Sequence, residues 1–215
     1  GDSRQHQGIL MGNLLWIASY PKSGNTWVRA FLENYLQNSD RAVDINSLHQ
    51  VSTAESYAHR FQKYLKEGQK TTDLSAEQIC ALRPMVQQDI AQQANGTVFV
   101  KTHNYYGEFE GHPLHNASVT SSAIYIVRNP LDVTLSMSNY FNYSIDEAID
   151  YMAEEMTGTP NEVENVSQII TSWSMHVESW TREENPALLV LRYEDLLSDP
   201  RKAFRKVESF LNLRK

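Results

Sequence analysis

Tyr20-Pro21-Lys22-Ser23-Gly24-Asn25-Thr26-Trp27 groups one cation, several small polar side chains and a glycine within eight residues. The Lys22 ammonium and the Ser23 and Thr26 hydroxyls can donate to an anion, and Gly24 allows a turn tight enough to present backbone N–H groups. The segment follows the apolar run Leu14-Leu15-Trp16-Ile17-Ala18, which reads as a buried strand. It leads into Val28 to Leu36, where Phe31, Leu32, Tyr35 and Leu36 recur at helical spacing. A strand, a tight turn and a helix N-terminus make a cradle for phosphate or sulfate. The usual nucleotide loop ends in Gly-Lys-Ser/Thr, with the hydroxyl on magnesium. Here Lys22 comes two residues before Gly24, and Gly-Lys-Ser/Thr occurs nowhere in the chain. Taken alone, the loop reads as an anion site, with a βα turn that binds nothing as the alternative.

Two further segments carry chemistry. Ser122 to Val127 is strand-like and ends in Arg128, after which Asn129 can cap a helix and Pro130 suits its first turn. The guanidinium of Arg128 and the hydroxyl of Ser136, eight residues later, can hold a second phosphate. Lys101-Thr102-His103 closes the strand-like run Thr97 to Val100. That puts an imidazole at the C-terminal edge of a strand, where open α/β sheets bind their ligands.

Together these segments resemble the PAPS-dependent sulfotransferases (PAPS is 3′-phosphoadenosine-5′-phosphosulfate). Residues 20–27 are similar to that family's 5′-phosphosulfate loop. Arg128-Asn129-Pro130 with Asp132, Val133 and Ser136 is similar to its 3′-phosphate segment, and Lys101-Thr102-His103 to its Lys-Thr/Ser-His. Ser172 to Trp180 followed by Tyr193-Glu194-Asp195-Leu196 is similar to its Ser-Trp-x-x-His-Val-x-x-Trp helix and Tyr-Glu-Asp-Leu. The resemblance implies an α/β fold: a P-loop-like central parallel β-sheet with helices on both faces. It implies PAPS as cofactor and adenosine 3′,5′-bisphosphate (PAP) as product, with no metal. It implies Lys22, Ser23, Gly24, Asn25, Thr26 and Trp27 around the 5′ end of the nucleotide, Arg128 and Ser136 on its 3′-phosphate, and Tyr193 on its adenine. His103 would then be the base that deprotonates an acceptor hydroxyl, with Lys22 and Lys101 as the cations beside it. The family follows its histidine with an apolar residue and often proline, whereas this chain has Asn104-Tyr105-Tyr106. His176 reads as the partner of a buried hydrogen bond, and Glu194 and Asp195 as local orienting groups.

The bulk of the sequence suits that assignment. Its 215 residues are 41% hydrophobic, enough for one α/β domain, taken as residues 14–215 after a flexible leader at 1–13. The formal charge of −7 argues against a nucleic-acid partner, and no apolar stretch approaches a membrane span. A single cysteine, Cys80, excludes an internal disulfide and favours a reducing, cytoplasmic location. His112-x-x-His115 is a poor metal motif, with no further ligand at suitable spacing.

Between the motifs, residues 44–95 read as two or three helices broken at Gly68 and Pro84, Ser144 to Met156 as an acidic amphipathic helix, and Thr157 to Val166 as a mobile lid. The family's Arg-Lys-Gly segment, which closes over the 3′-phosphate, has no counterpart before Lys215. Tyr105, Tyr106, Phe109, Tyr140, Phe141 and Tyr143 are candidates for an aromatic acceptor pocket or for packing. The partner expected is a small-molecule hydroxyl acceptor, aromatic on the first of those readings. Oligomeric state stays open. A kinase or nucleotide hydrolase, and a non-catalytic bisphosphate-binding module, are the alternatives.

Overall fold

The computed structural model describes residues 13–37 and 51–212. The leader, apart from Asn13, and residues 44–50 of the expected helical region lie outside the described residues. In chain order the elements begin with β1 (Leu14–Ser19), α1 (Asn25–Gln37), β2 (Ser52–Ala54), α2 (Ala76–Gln92) and β3 (Val98–Thr102). A small antiparallel pair, β4 (Glu108–Phe109) and β5 (His112–Pro113), precedes β6 (Thr120–Val127). Then follow α3 (Pro130–Phe141), α4 (Ile145–Ala153), α5 (Trp173–Thr181), β7 (Leu188–Arg192), α6 (Tyr193–Ser198) and α7 (Pro200–Asn212).

Strands β2-β3-β1-β6-β7 form one sheet, in that order and parallel throughout. Successive side chains of β1 point to opposite faces. Leu14, Trp16 and Ala18 pack with α2 and Trp180 of α5, while Leu15 and Ile17 pack with α1 and α7. The sheet is thus covered on both sides, as the sequence predicts. A third apolar group, Tyr20, Val133, Met137, Ala148, Met152 and Ile170, joins the end of β1 to α3, α4 and the segment before α5.

The segment between α1 and β3 departs from expectation. Ser52–Ala54 is a strand, not helix, and one helix runs uninterrupted through Pro84. A proline inside a helix forfeits a backbone bond, but α2 starts on a Ser75–Gln78 capping box and buries Ile79, Cys80, Val86, Ile90 and Ala91. That packing outweighs the local loss. The helix after α3 stops at Ala153 and does not reach Met156.

Thr157 to Val166 is bonded back onto the domain instead of hanging free as a lid. Val166 N–H donates to Ser56 O at 2.8 Å, Asn161 Nδ2 to Leu74 O at 2.7 Å, and Thr159 N–H to Gln168 O at 2.9 Å. Just beyond it, the Ser167 carbonyl accepts from Arg83, whose guanidinium also forms a fully buried 2.5 Å ion pair with Glu55.

Candidate active site

Four of the functional candidates each follow the C-terminal end of a different, adjacent strand. His103 comes after β3, the Lys22 loop after β1, Arg128 after β6 and Tyr193 after β7. Neighbouring strands lie about 4.8 Å apart, so the four groups spread along one sheet edge with the loop between His103 and Arg128.

The loop is held in a conformation that only its surroundings can impose. Lys22 has φ 65° and Gly24 φ 100°. The Lys22 carbonyl accepts from Arg128 Nη1 at 2.8 Å. Gly24 sits so close to Tyr193 that a Cβ there would lie 2.6 Å from the ring. Arg128 in turn stacks its guanidinium 4.3 Å over the same ring. The sequence stretches expected at the two ends of one nucleotide are therefore in direct contact.

Asn25 turns its side chain inward, donating to Ile17 O at 2.9 Å and to Ser19 Oγ at 3.3 Å. Its side chain anchors the helix start. Among the described residues, the backbone N–H groups of Ser23, Gly24, Asn25 and Thr26 have no protein acceptor, as expected at a helix start. Ser23 is buried and Thr26 exposed. Trp27 packs edge-on to Tyr193 and Phe204. Ser136 is half-buried on α3, two turns from Arg128, and hydrogen-bonds to none of the loop residues.

His103 is fixed on three sides. Its Nδ1 lies 2.7 Å from the Ser19 carbonyl, so Nδ1 carries the proton and Nε2 the lone pair. Its N–H donates to Gln168 Oε1 at 3.0 Å, and its carbonyl accepts from His176 Nε2 at 3.0 Å. His176 is completed by Tyr125, whose hydroxyl lies 2.9 Å from Nδ1, and so plays the buried bonding part expected of it. Burial first, then the Lys101 charge, holds the His103 imidazole down at about 3, so it is neutral at physiological pH. Burial and the neighbouring Arg29 lower Lys101 to about 8. Lys22 is lowered by burial and by Arg128. Positive charge is thus concentrated here in a chain of net charge −7, the arrangement that attracts a polyanion.

A family model described as the sulfotransferase domain matches residues 13–215. The chain belongs to that family. The sulfotransferase domain is 24% identical over 210 residues to luciferin sulfotransferase of Photinus pyralis, covering 91% of this chain and 50% of that protein. It is 27% identical to sulfotransferase 1B1 of Canis lupus familiaris, covering 91% and 57%. A 99-residue stretch is 35% identical to the Mus musculus sulfotransferase 1B1, covering 41% of this chain and 29% of that one. The chain thus spans little more than half the length of these relatives at most. Its fold is similar to that of mouse sulfotransferase SULT7A1, solved with PAP, at TM-score 0.55 and 19% identity, covering 93% of this chain and 58% of that one. Retinol dehydratase, solved with androsterone and inactive cofactor PAP, gives the same score and identity over 92% and 59%.

Several contributors to the site escape sequence reading. Ser19 and Gln168 fix His103, yet a backbone carbonyl and a lone glutamine carry no motif. Tyr140, named only as a pocket candidate, places its ring 3.8 Å from Lys22 Nζ. The aromatic candidates divide. Tyr140, Phe141 and Tyr143 cluster beside the loop, whereas Tyr105 and Tyr106 face a separate cavity behind α5. Glu194 accepts from Asn129 N–H at 2.8 Å, the local orienting role expected of it. Among the described residues, no cluster of His, Cys, Asp or Glu is suited to a metal, and no helix is long and apolar enough to cross a membrane.

Proposed function

We propose that this domain is a sulfotransferase that takes PAPS as donor and a small-molecule hydroxyl as acceptor, releasing PAP. The observation that carries the reading is the proton placement on His103: with Nδ1–H given to Ser19, Nε2 is the basic atom at the strand edge. The residues present fit the nucleotide. The N–H groups of residues 23–26 suit its 5′-phosphate, Arg128 and Ser136 its 3′-phosphate, and the Tyr193 and Trp27 rings its adenine.

When bound, the nucleotide supplies an activated sulfuryl group, whose bond to the 5′-phosphate breaks as one to the acceptor oxygen forms. His103 Nε2 takes the proton of the acceptor hydroxyl. Lys22 and the loop N–H groups neutralise the charge gathering on the departing phosphate oxygen. Lys101, whose charge acts on His103, keeps the pocket positive. Fixed donors of this kind act through positioning and preorganised charge. The acceptor is proposed only as a hydroxyl compound small enough to reach Nε2. A cytoplasmic, reducing location fits the single cysteine, which is buried.

The test is a metal-free calorimetric titration with PAP, followed by sulfur-labelled PAPS with a panel of phenols and alcohols. Saturable PAP binding and transfer of label to an acceptor are expected. Binding that requires magnesium and prefers ATP would overturn the reading in favour of a nucleotide kinase or hydrolase. PAP binding with no transfer to any acceptor would leave a bisphosphate-binding module.

A further inference from the structure

A cavity of about 840 Å³ lies beside α5, and His103 is not among its lining residues; its volume is within the size range of small-molecule sites. Tyr106, Glu108, His115, Ser121, Glu178 and Trp180 are among its walls, and the cradle residues Lys22, Arg128 and Tyr193 are not. Its floor is the start of β6 and β7, the opposite end of the sheet from the Lys22 loop.

Three observations give this cavity a chemical character. His115 is only 7% exposed, and neither ring nitrogen has a hydrogen-bond partner. A buried neutral imidazole carries one donor and one acceptor, and native structures seldom leave both unmade. Around it stand aromatic rings: Trp16 at 4.7 Å and Trp180 at 5.0 Å, both edge to face, and Tyr106 stacked at 5.6 Å. Tyr106 is 52% exposed and lines the cavity. Finally, the lining charge is acidic. Glu178 pairs with Arg182 at 3.2 Å, which leaves Glu108, Glu183 and Glu184 exposed with no cationic partner among the described residues.

We propose that this cavity is a second small-molecule site, separate from the nucleotide cradle, for a compact organic cation carrying an aromatic or alkyl body. Ring faces attract ammonium groups, and the Tyr106 and Trp180 rings supply the apolar area for the body. The unpaired carboxylates favour positive charge and repel phosphate and sulfate esters, so neither the nucleotide nor a sulfated product suits the site. The same walls bear on the catalytic strand. Tyr106 N–H donates to Ser179 Oγ at 2.9 Å, and Trp180 Nε1 donates to Asn104 O at 3.2 Å, next to His103.

The probe is benzyltrimethylammonium, which has no hydroxyl and cannot serve as an acceptor. It is titrated at constant ionic strength and followed by calorimetry and by the fluorescence of Trp16 and Trp180. Benzenesulfonate serves as an anion of similar size. Expected are saturable cation binding, no saturation by benzenesulfonate, and no displacement by PAP. Tyr106→Ala and the triple exchange Glu108→Gln, Glu183→Gln, Glu184→Gln should each weaken the cation by about tenfold or more. All four positions are exposed, and circular dichroism checks that the variants fold. No saturable cation binding, equal binding of the anion, or an unchanged affinity in both variants overturns the proposal, and displacement by PAP places the cation in the cradle instead. PAP binding, titrated separately in the same proteins, tests the nucleotide reading independently.

Discussion

Nδ1 of His103 lies 2.7 Å from the Ser19 carbonyl, on the strand that leads into the Lys22 loop. The proposed base and the proposed anion cradle are therefore tied to each other by this bond in addition to the pairing of the neighbouring parallel strands β1 and β3. Removing the imidazole leaves the cradle intact. His103→Ala should lower turnover by at least about a hundredfold, the usual contribution of a positioned general base. PAP affinity should stay within about twofold. Steady-state kinetics and calorimetry on the same preparation check this, and near-normal turnover would remove His103 from the chemistry.

Lys22 rests its ammonium on Tyr140, 3.8 Å from the ring centroid. Tyr140 is 68% exposed, so this is a surface cation–π contact, worth about 0.5–1 kcal/mol. A phosphate must draw Lys22 off the ring before the ammonium can serve it. Tyr140→Leu should therefore tighten PAP binding by about two- to fivefold, while Tyr140→Phe leaves it unchanged. A Leu variant that binds no better would show that the ring does not compete for the lysine.

The elements that carry the site were legible because each couples an apolar strand run to a local signal. β1 leads into Tyr20-Pro21-Lys22, β3 runs through Lys101-Thr102 to His103, and β6 leads into Arg128-Asn129-Pro130, with Asn129 capping α3 as its type predicts. β2 was not legible, since Ser52-Thr53-Ala54 has no apolar run. Its place comes from tertiary partners, with Arg29 Nε donating to Ser52 Oγ at 2.8 Å and Glu33 accepting from Val51 N–H at 3.0 Å. Pro84 misled for the converse reason, because burial of α2 overrides a local preference. The orientation of His103 depends on Ser19 and on Gln168 and His176, brought to it from two distant parts of the chain. No spacing rule links them.

Gly24 combines φ 100° with a ring where its Cβ would be. Gly24→Ala must strain the backbone and push Tyr193 away from Arg128. A destabilisation of about 1–3 kcal/mol is expected, together with a loss of PAP affinity out of proportion to it. Urea denaturation and PAP titration measure the two effects. If Ala is tolerated in both, the Gly24–Tyr193 contact does not shape the cradle.

Lys101, at about 8, titrates within an accessible range. Its charged form favours a bound anion, so PAP affinity should weaken as pH rises through about 8, and binding should in turn raise the Lys101 pKa. In Lys101→Met the weakening between pH 7 and 9 should flatten. An equal slope in both proteins would assign the titration to another group.

Acid should unfold this domain earlier than carboxylates alone would require. His103 and His115 are held at about 3 and His176 at about 4, in each case chiefly by burial. Their ordinary value in an unfolded chain is about 6.5. Between those limits the unfolded chain binds protons that the native protein refuses, so stability rises with pH and is lost as pH falls below about 6.5. Each histidine contributes a slope of up to about 1.4 kcal/mol per pH unit, and the three together up to about 4 near pH 5. The urea midpoint should therefore be flat above pH 7 and drop steeply between pH 6.5 and 5. His176→Gln should start lower, because the Tyr125 and His103 bonds are disturbed, yet fall less steeply by about one proton. A midpoint that does not move between pH 7 and 5 would mean that these imidazoles accept protons in the folded state, and that His103 is less enclosed than its bonds to Ser19, Gln168 and His176 require.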